Sequence, residues 1–235
     1  MRAPRVPLPD IARADAGVSV LYRWVTAPQD QLTLADSSLE SWANTPWPAG
    51  LIAVHVLVST NGDTVLTYEQ WAGARELTTF QDHDRDTITK EITTSVPAVE
   101  EFDPLVCTPH RKTAAHPVSA RAECLVISTY GFESLGAARA WSRVLASAEE
   151  RRAGPTPGLL ARHFLIGTGA GGGGVRLLDY AEWTGAHAHA EFLENGYERR
   201  CGTPTAGITP GPARRCRPYG VLTAPLPGRT RARTW

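Results

Sequence analysis

The chain has 235 residues, 42% of them hydrophobic and 20% charged, which is enough apolar material to bury the core of one or two domains. Its 24 basic and 24 acidic residues give a formal net charge of zero. That balance excludes the basic surface of a nucleic-acid-binding or polybasic membrane-surface protein. Apolar runs extend over only a few residues, against the roughly 20 that a transmembrane helix needs.

The first half of the chain predicts strands and helices in a fixed order. A β-branched run predicts a buried strand, and the Asn61-Gly62 pair after it predicts a hairpin turn with positive φ angles. The predicted elements are strand 18–26, helix 30–43, strands 51–59 and 65–71, helices 72–82 and 87–101, and strand 105–113.

The second half predicts a similar order. Its clearest element is a helix over 134–152, where Ser134 is suited to cap the first turn and apolar residues recur at helical spacing. The glycines of 169–174 match GxGxxG but precede a strand pattern, which favours a hairpin loop over a dinucleotide site. The other predicted elements are strands 123–130, 159–167 and 175–183, helix 185–195, and strand 215–223.

Three sequence blocks recur at nearly one spacing. Tyr68 and Tyr180, each three residues before a tryptophan, are 112 residues apart, and flanking Pro/Gly-Leu and Cys-x-Pro blocks recur in the same order. This repeat predicts two homologous halves, 17–116 and 120–224, with flexible tails at 1–16 and 225–235. Each half has the β-α-β-β-α-β order of a ferredoxin-like unit.

The cysteines and histidines give little sign of a metal site. No two of the four cysteines form a CxxC pair, and the first residues lack the apolar stretch of a secretory signal, so we expect reduced thiols and a cytoplasmic protein. A Cys201–Cys216 disulfide is the alternative. His187 and Glu191 share one helix face, but two ligands do not make a metal site.

The repeated blocks resemble the antibiotic biosynthesis monooxygenase family. The resemblance lies in Ala49-Gly50-Leu51-Ile52-Ala53, Ser59-Thr60-Asn61-Gly62 and Thr67-Tyr68-Glu69-Gln70-Trp71, and it extends to the second half. It implies an α+β fold in which two ferredoxin-like repeats are fused into an intramolecular version of the family's dimeric α+β barrel. Quinone-forming members oxidise phenols or anthrones with molecular oxygen and use neither metal nor flavin.

The match to the family's polar residues is partial. The family's Asn before the Tyr corresponds to Thr67 and Asp179, while the Trp is kept as Trp71 and Trp183. A family Tyr six residues after the Trp corresponds to Leu77 in the first half and His189 in the second. The second half is therefore the predicted active half, with Asp179 as base or hydrogen-bond acceptor, Trp183 as aromatic wall and His189 as proton donor.

Further candidates for substrate binding lie on neighbouring segments. In the second half they are Arg162 and His163, and in the first half Trp71, Thr67 and His55. Trp47, in a proline-rich segment, is a candidate for the edge of a cleft that binds a flat aromatic ligand. Each of the tryptophans also fits a core aromatic, and His55 also fits a buried core histidine.

The sequence therefore predicts a cofactor-independent monooxygenase that oxidises an aromatic, polyketide-type metabolite in bacterial secondary metabolism. Its expected partner is a small aromatic substrate, with no nucleic acid, membrane, metal or organic cofactor, and the chain is expected to be a monomer or a homodimer. A cyclase or rearrangement enzyme, or a non-catalytic small-molecule-binding protein on the same fold, remains as an alternative.

Overall fold

The fold was analysed on a computed structural model, which describes residues 6–96, 98–113, 121–151, 154–169, 174–194, 207–224 and 233–234. The glycine-rich loop at 170–173, the candidate disulfide partner Cys201 and tail residues 225–232 lie outside the described residues. No described helix is long and apolar enough to cross a membrane.

The chain divides into two compact units, Met1–Val106 with Pro218–Trp235, and Cys107–Arg217. The repeat boundaries 17–116 and 120–224 stay predictions, as does the fusion of two repeats into one barrel. Two strands contribute residues to both units: β4 (Glu100–Thr113) and β9 (Arg214–Thr223).

The first unit is a layer of helices on an antiparallel sheet. Its described elements are β1 (Val18–Val25), a 3-10 turn (Pro28–Asp30), α1 (Gln31–Asn44), β2 (Leu51–Ser59), β3 (Thr64–Trp71), α2 (Ala74–His83) and α3 (Arg85–Ser95), with β10 at Arg233–Thr234. The strand order is β10-β9-β2-β3-β1-β4, and β3 pairs antiparallel with both β1 and β2.

The second unit has a similar arrangement. Its described elements are β5 (Cys124–Phe132), α4 (Leu135–Glu150), β6 (Leu159–Gly169), β7 (Val175–Trp183), α5 (Ala186–Glu194) and β8 (Ile208–Pro210). The strand order is β4-β6-β7-β5, and both β8 and β9 pair with β5. The predicted mixed α+β, ferredoxin-like class is confirmed.

Two local predictions differ from the structure. The helix predicted over 87–101 ends at Ser95, and β4 begins at Glu100, because the sequence places Pro97 inside that range. Proline disfavours a helical conformation at the residue before it. In the β2–β3 turn only Gly62 has a positive φ, of 89°, so Asn61 does not adopt the second positive φ expected of an Asn-Gly turn.

Residues 6–16 pack against the first unit, although the sequence predicts a flexible tail there. Ile11 is buried, and Gln70 donates from Nε2 to the carbonyl of Asp10 over 2.8 Å. The backbone of Pro7 interacts with the ring of His55 on the same face of the sheet. Two buried residues, Pro9 and Ile11, and a few polar contacts therefore hold this segment in place.

Candidate active site

The layer between sheet and helices in the second unit is built on one face of β7. Side chains alternate along a strand, so Asp179, Ala181 and Trp183 share the face that packs against the helices. In register, Asp179 lies between Ser128 of β5 and Phe164 of β6. All three predicted catalytic residues, Asp179, Trp183 and His189, belong to this layer and are buried.

Asp179 is held in a buried ion pair with Arg162. Arg162 donates from Nε to Oδ1 over 2.9 Å and from Nη2 to Oδ2 over 2.5 Å, and the two side chains are 8% and 6% exposed. The guanidinium carbon also lies 5.1 Å from the ring centroid of Phe164. Both carboxylate oxygens thus accept from one fork-shaped donor. The predicted role of Asp179 toward a substrate, as base or hydrogen-bond acceptor, stays a prediction.

Trp183 is the centre of an aromatic cluster. Its ring centroid lies 5.1 Å from that of His189 and 5.0 Å from that of Phe192, and both of these residues project from α5. The tryptophan is 2% exposed, yet its Nε1–H has no hydrogen-bond partner among the described residues. A buried donor in this state is stabilised when a bound molecule supplies an acceptor.

The ring of His189 is neutral and its tautomer is fixed. Arg215 of β9 donates from Nε to Nδ1 of His189 over 2.9 Å, so Nδ1 is the acceptor and the ring proton resides on Nε2. Burial, together with the charges of Arg215 and Arg162, lowers the pKa of His189 to about 4 against the opposing charge of Asp179. At neutral pH His189 is therefore a hydrogen-bond donor through Nε2.

The corresponding layer of the first unit contains a different set of polar groups. Thr67, Glu69 and Trp71 share the helix-facing side of β3. Glu69 is completely buried and accepts from Trp71 Nε1 over 3.1 Å through Oε2. Burial raises the pKa of Glu69 to about 7, although the charge of Arg85 and the bond from Trp71 lower it. The guanidinium of Arg85 lies 3.7 Å from the ring centroid of Tyr22.

Aromatic side chains fill the first-unit layer. The ring of Phe80 stacks between Trp42 and Trp71, with centroid distances of 5.2 and 5.1 Å. Thr67 lies in register between Tyr22 and Val56. Thr67 and Trp71 therefore share one strand face within a densely packed core.

Two predicted binding residues, His55 and His163, lie away from these helix-facing clusters, whereas Trp47 packs against the first-unit cluster. His55 and His163 are on the opposite faces of their strands, where His55 is in register with Tyr68 and the ring centroid of His163 lies 6.1 Å from that of Tyr180. Trp47 donates from Nε1 to the carbonyl of Leu51 over 2.7 Å, which anchors its loop. The alternation of side chains along a strand explains why Arg162 joins the cluster and His163 does not.

The two layers differ in the side chains that flank the equivalent strand positions. On one neighbouring strand Ser128 lies opposite Asp179, whereas Tyr22 lies opposite Thr67. On the other, Phe164 lies opposite Asp179, whereas Val56 lies opposite Thr67. Two residues further along β7, Ala181 stands at the position that Glu69 occupies in the repeat.

An open groove of about 540 Å³ separates α1 from α3 in the first unit. It is lined by small polar and charged side chains, among them Ser37, Ser41, Thr87 and Lys90, and by none of the predicted site residues. Within the described part of the chain, no three His, Cys, Asp or Glu side chains are grouped to hold a metal ion.

Three residues of these layers are not singled out by sequence reasoning. Arg215 lies 26 residues from His189, and the sequence indicates only that it belongs to a strand. Arg85 carries no local signal, and Glu69 is not among the predicted site residues. The one signal for Glu69 is its parity with Trp71 on β3, which places a carboxylate on a buried strand face.

Comparison with solved structures confirms the fold. An anthrone oxidase-like protein superposes with a TM-score of 0.73 at 14% identity, covering 90% of this chain and 94% of the other. A proposed monooxygenase from Fusobacterium nucleatum has a TM-score of 0.53 at 10% identity, covering 95% and 100%. An encapsulated DyP-type peroxidase from Mycobacterium smegmatis also reaches 0.53, at 8% identity, covering 92% and 96%.

No family model and no curated protein matches the chain. The structural likenesses show a shared ferredoxin-like α+β fold, and that fold serves proteins with different chemistry. The function has to be argued from the residues of the site.

Proposed function

We propose that the chain is an oxygenase that oxidises an aromatic phenol or anthrone with molecular oxygen, using neither metal nor organic cofactor, at a site in the second unit. The observation that carries this proposal is the arrangement around Trp183: a neutral His189 donor, a buried Arg162–Asp179 pair and Arg215, all beside aromatic rings. The fold shared with an anthrone oxidase-like protein and a proposed monooxygenase supports it.

The proposed chemistry needs an electron-rich anion and a place to hold it. An anthrone that loses a proton gives a phenolate-like anion, which transfers one electron to O2 and forms a radical and superoxide. Their combination forms a C–O bond and, after protonation, a hydroperoxide. Loss of the second hydrogen as a proton, with cleavage of the O–O bond, leaves the quinone carbonyl and one water. One oxygen atom of O2 is then in the product and the other in water.

The described residues supply what the steps after loss of the first proton require. Trp183 and Phe192 provide aromatic surface for a flat substrate. His189 Nε2 and the indole N–H of Trp183 are donors for a developing oxyanion, which is stabilised more strongly in a buried site than in water. The Arg162–Asp179 pair fixes the floor of the site, and exclusion of water protects the radical intermediate.

The test is oxygen uptake by the whole chain with anthrone as the probe, measured with an oxygen electrode and paired with quinone detection. We expect protein-dependent uptake that falls at least tenfold in Trp183→Phe and His189→Leu. Trp71→Phe is the matched control, since it makes the same change at the repeat-equivalent position in the first unit. Equal losses in Trp71→Phe and Trp183→Phe would contradict a site in the second unit.

An anaerobic arm separates this proposal from the two others. Turnover of a phenolic polyketide-type substrate without oxygen would identify a cyclase or rearrangement enzyme. Saturable binding of such compounds with no turnover in air would identify a binding protein. Either result would overturn the oxygenase.

A further inference from the structure

We infer that Arg215 is a positioning residue that makes His189 a hydrogen-bond donor, and that the second-unit site consequently takes its substrate as an anion already ionised in solution. The inference rests on the proposed function for the aromatic nature of the ligand. It adds the ionisation state in which the ligand binds and the residue that imposes this preference.

The hydrogen bond from Arg215 determines which ring nitrogen of His189 carries the proton. An arginine only donates, so a neutral imidazole bonded to it at Nδ1 carries its proton on Nε2. Arg215 lies opposite Val126 in the β9–β5 register, and Val126 belongs to the same apolar cluster as Trp183. The strand therefore holds the guanidinium on the side of the sheet that faces α5.

Among the described residues, the charged groups that shift the pKa of His189 come from three strands. Arg215 projects from β9, Arg162 from β6 and Asp179 from β7, and these three give a net charge of +1 beside a neutral ring. Cys124 of β5 also faces Arg215, and burial raises the pKa of its thiol, so that it is uncharged. On α5 itself, His187 and Glu191 pair with each other at the exposed surface. A net positive, partly buried cluster favours an anionic ligand.

The cluster offers donors and has no base ready to accept a substrate proton among the described residues. His189 already uses Nδ1 to accept from Arg215, and both oxygens of Asp179 accept from Arg162. The indole N–H of Trp183 adds a buried donor that no described residue satisfies. A ligand that presents an oxyanion satisfies these donors, whereas a neutral phenol brings one more proton that the cluster does not take up.

The first experiment reads the tautomer directly and needs no substrate. Long-range ¹H–¹⁵N correlation spectra of histidine-labelled protein at pH 7 are expected to show His189 neutral, with its proton on Nε2. Arg215→Met should yield a mixed or Nδ1-protonated ring, and Arg215→Lys should restore the wild-type pattern in part. Arg214→Met is the matched control, because Arg214 is in register with Ile127, on the other face of the strand.

The second experiment measures which form of a phenol binds. Alizarin is a suitable probe, since its visible spectrum changes when it ionises and it is a flat hydroxyanthraquinone. We expect the ionised form to bind at least tenfold more tightly than the neutral form. Arg215→Met should remove that preference, and Arg214→Met should keep it.

The outcomes distinguish this inference from the proposed function. An Nδ1–H tautomer in the wild-type protein, or equal affinity for both forms of alizarin, would overturn the inference even if oxygen uptake is observed. Anion-selective binding with the expected tautomer, in the absence of oxygen uptake, would support the inference and refute the oxygenase. The wild-type spectrum decides the tautomer even if Arg215→Met fails to fold.

Discussion

Arg162 and Asp179 form a two-bond ion pair inside the second unit, with N–O distances of 2.9 and 2.5 Å. Each residue comes from a different strand of the same sheet, and Arg162 lies beside Asp179 because a β-bulge at the start of β6 sets the register. The bulge thus places a cation next to a carboxylate that the strand pattern alone would leave unpaired in an apolar layer.

The first prediction concerns this pair. Asp179→Asn leaves the Arg162 charge buried without its partner and is expected to lower the free energy of unfolding by about 3 kcal/mol, as is typical when one half of a buried pair is removed. The double variant Arg162→Met/Asp179→Leu is expected to recover most of that loss, since it leaves no buried charge. Urea unfolding at pH 7 measures both. A double variant no more stable than Asp179→Asn would contradict the expected coupling.

The second prediction concerns Glu69, whose pKa is raised to about 7 by complete burial. The folded protein therefore retains a proton that the unfolded chain releases near pH 4.5, so stability falls as the pH rises from about 4.5 to 7. The loss approaches about 3 kcal/mol above pH 7. Glu69→Gln should remove this part of the pH dependence in unfolding titrations. An unchanged slope in Glu69→Gln would show that the carboxyl is not protonated in the folded state.

The third prediction has the opposite sign and concerns His55. Burial lowers its pKa to about 4, against 6.5 for the ordinary group. Between these pH values the His55 ring is protonated in the unfolded chain and neutral in the folded protein. The free energy of unfolding therefore declines as the pH falls from 6.5 toward 4, by at most about 3 kcal/mol. His55→Gln should flatten this decline. His55 and Glu69 change the free energy of unfolding in opposite directions over an overlapping pH range. In Glu69→Gln only the His55 effect remains, so the free energy of unfolding should fall more steeply with acidification than in the wild type.

The fourth prediction tests the cap of α4. Ser134 Oγ accepts from the backbone N–H of Ala137 over 3.2 Å, as the sequence indicates. Ser134→Ala should lower the free energy of unfolding by about 1 kcal/mol, whereas Ser134→Asp, which retains an acceptor, should lower it little. Thermal unfolding of the wild type and the two variants measures both effects. A Ser134→Ala variant with the same unfolding midpoint as the wild type would contradict the cap.

Most strands and helices are predictable because each has a local signal. The alternating pattern of β3, the β-branched run of β2 and the apolar stripe of α4 depend only on residues within each segment. The site is predictable in part for the same reason, since the parity of Asp179 and Trp183 on β7 places both on one face. His189 follows from the resemblance, which places a family tyrosine six residues after the tryptophan of the block.

The partners of these residues are not predictable. The contact between Arg215 and His189 joins a strand and a helix separated along the chain, and no local pattern indicates it. The choice between Arg162 and His163 depends on a one-residue bulge that reverses which side chain faces the helices. Parity places Glu69 on a buried strand face, but its charged neighbour Arg85 comes from α3, which no local pattern indicates.

In the proposed reaction, an aromatic anion held in the second unit transfers an electron to O2 and then combines with it. The most direct test of this claim is the protein-dependent rate of ¹⁸O incorporation from ¹⁸O₂ into anthraquinone formed from anthrone, measured by mass spectrometry against a protein-free blank. We predict one ¹⁸O atom per product molecule, with a rate lowered at least tenfold in Trp183→Phe and unchanged in Trp71→Phe. A rate no greater than the blank, or equal rates in the two variants, would contradict the claim.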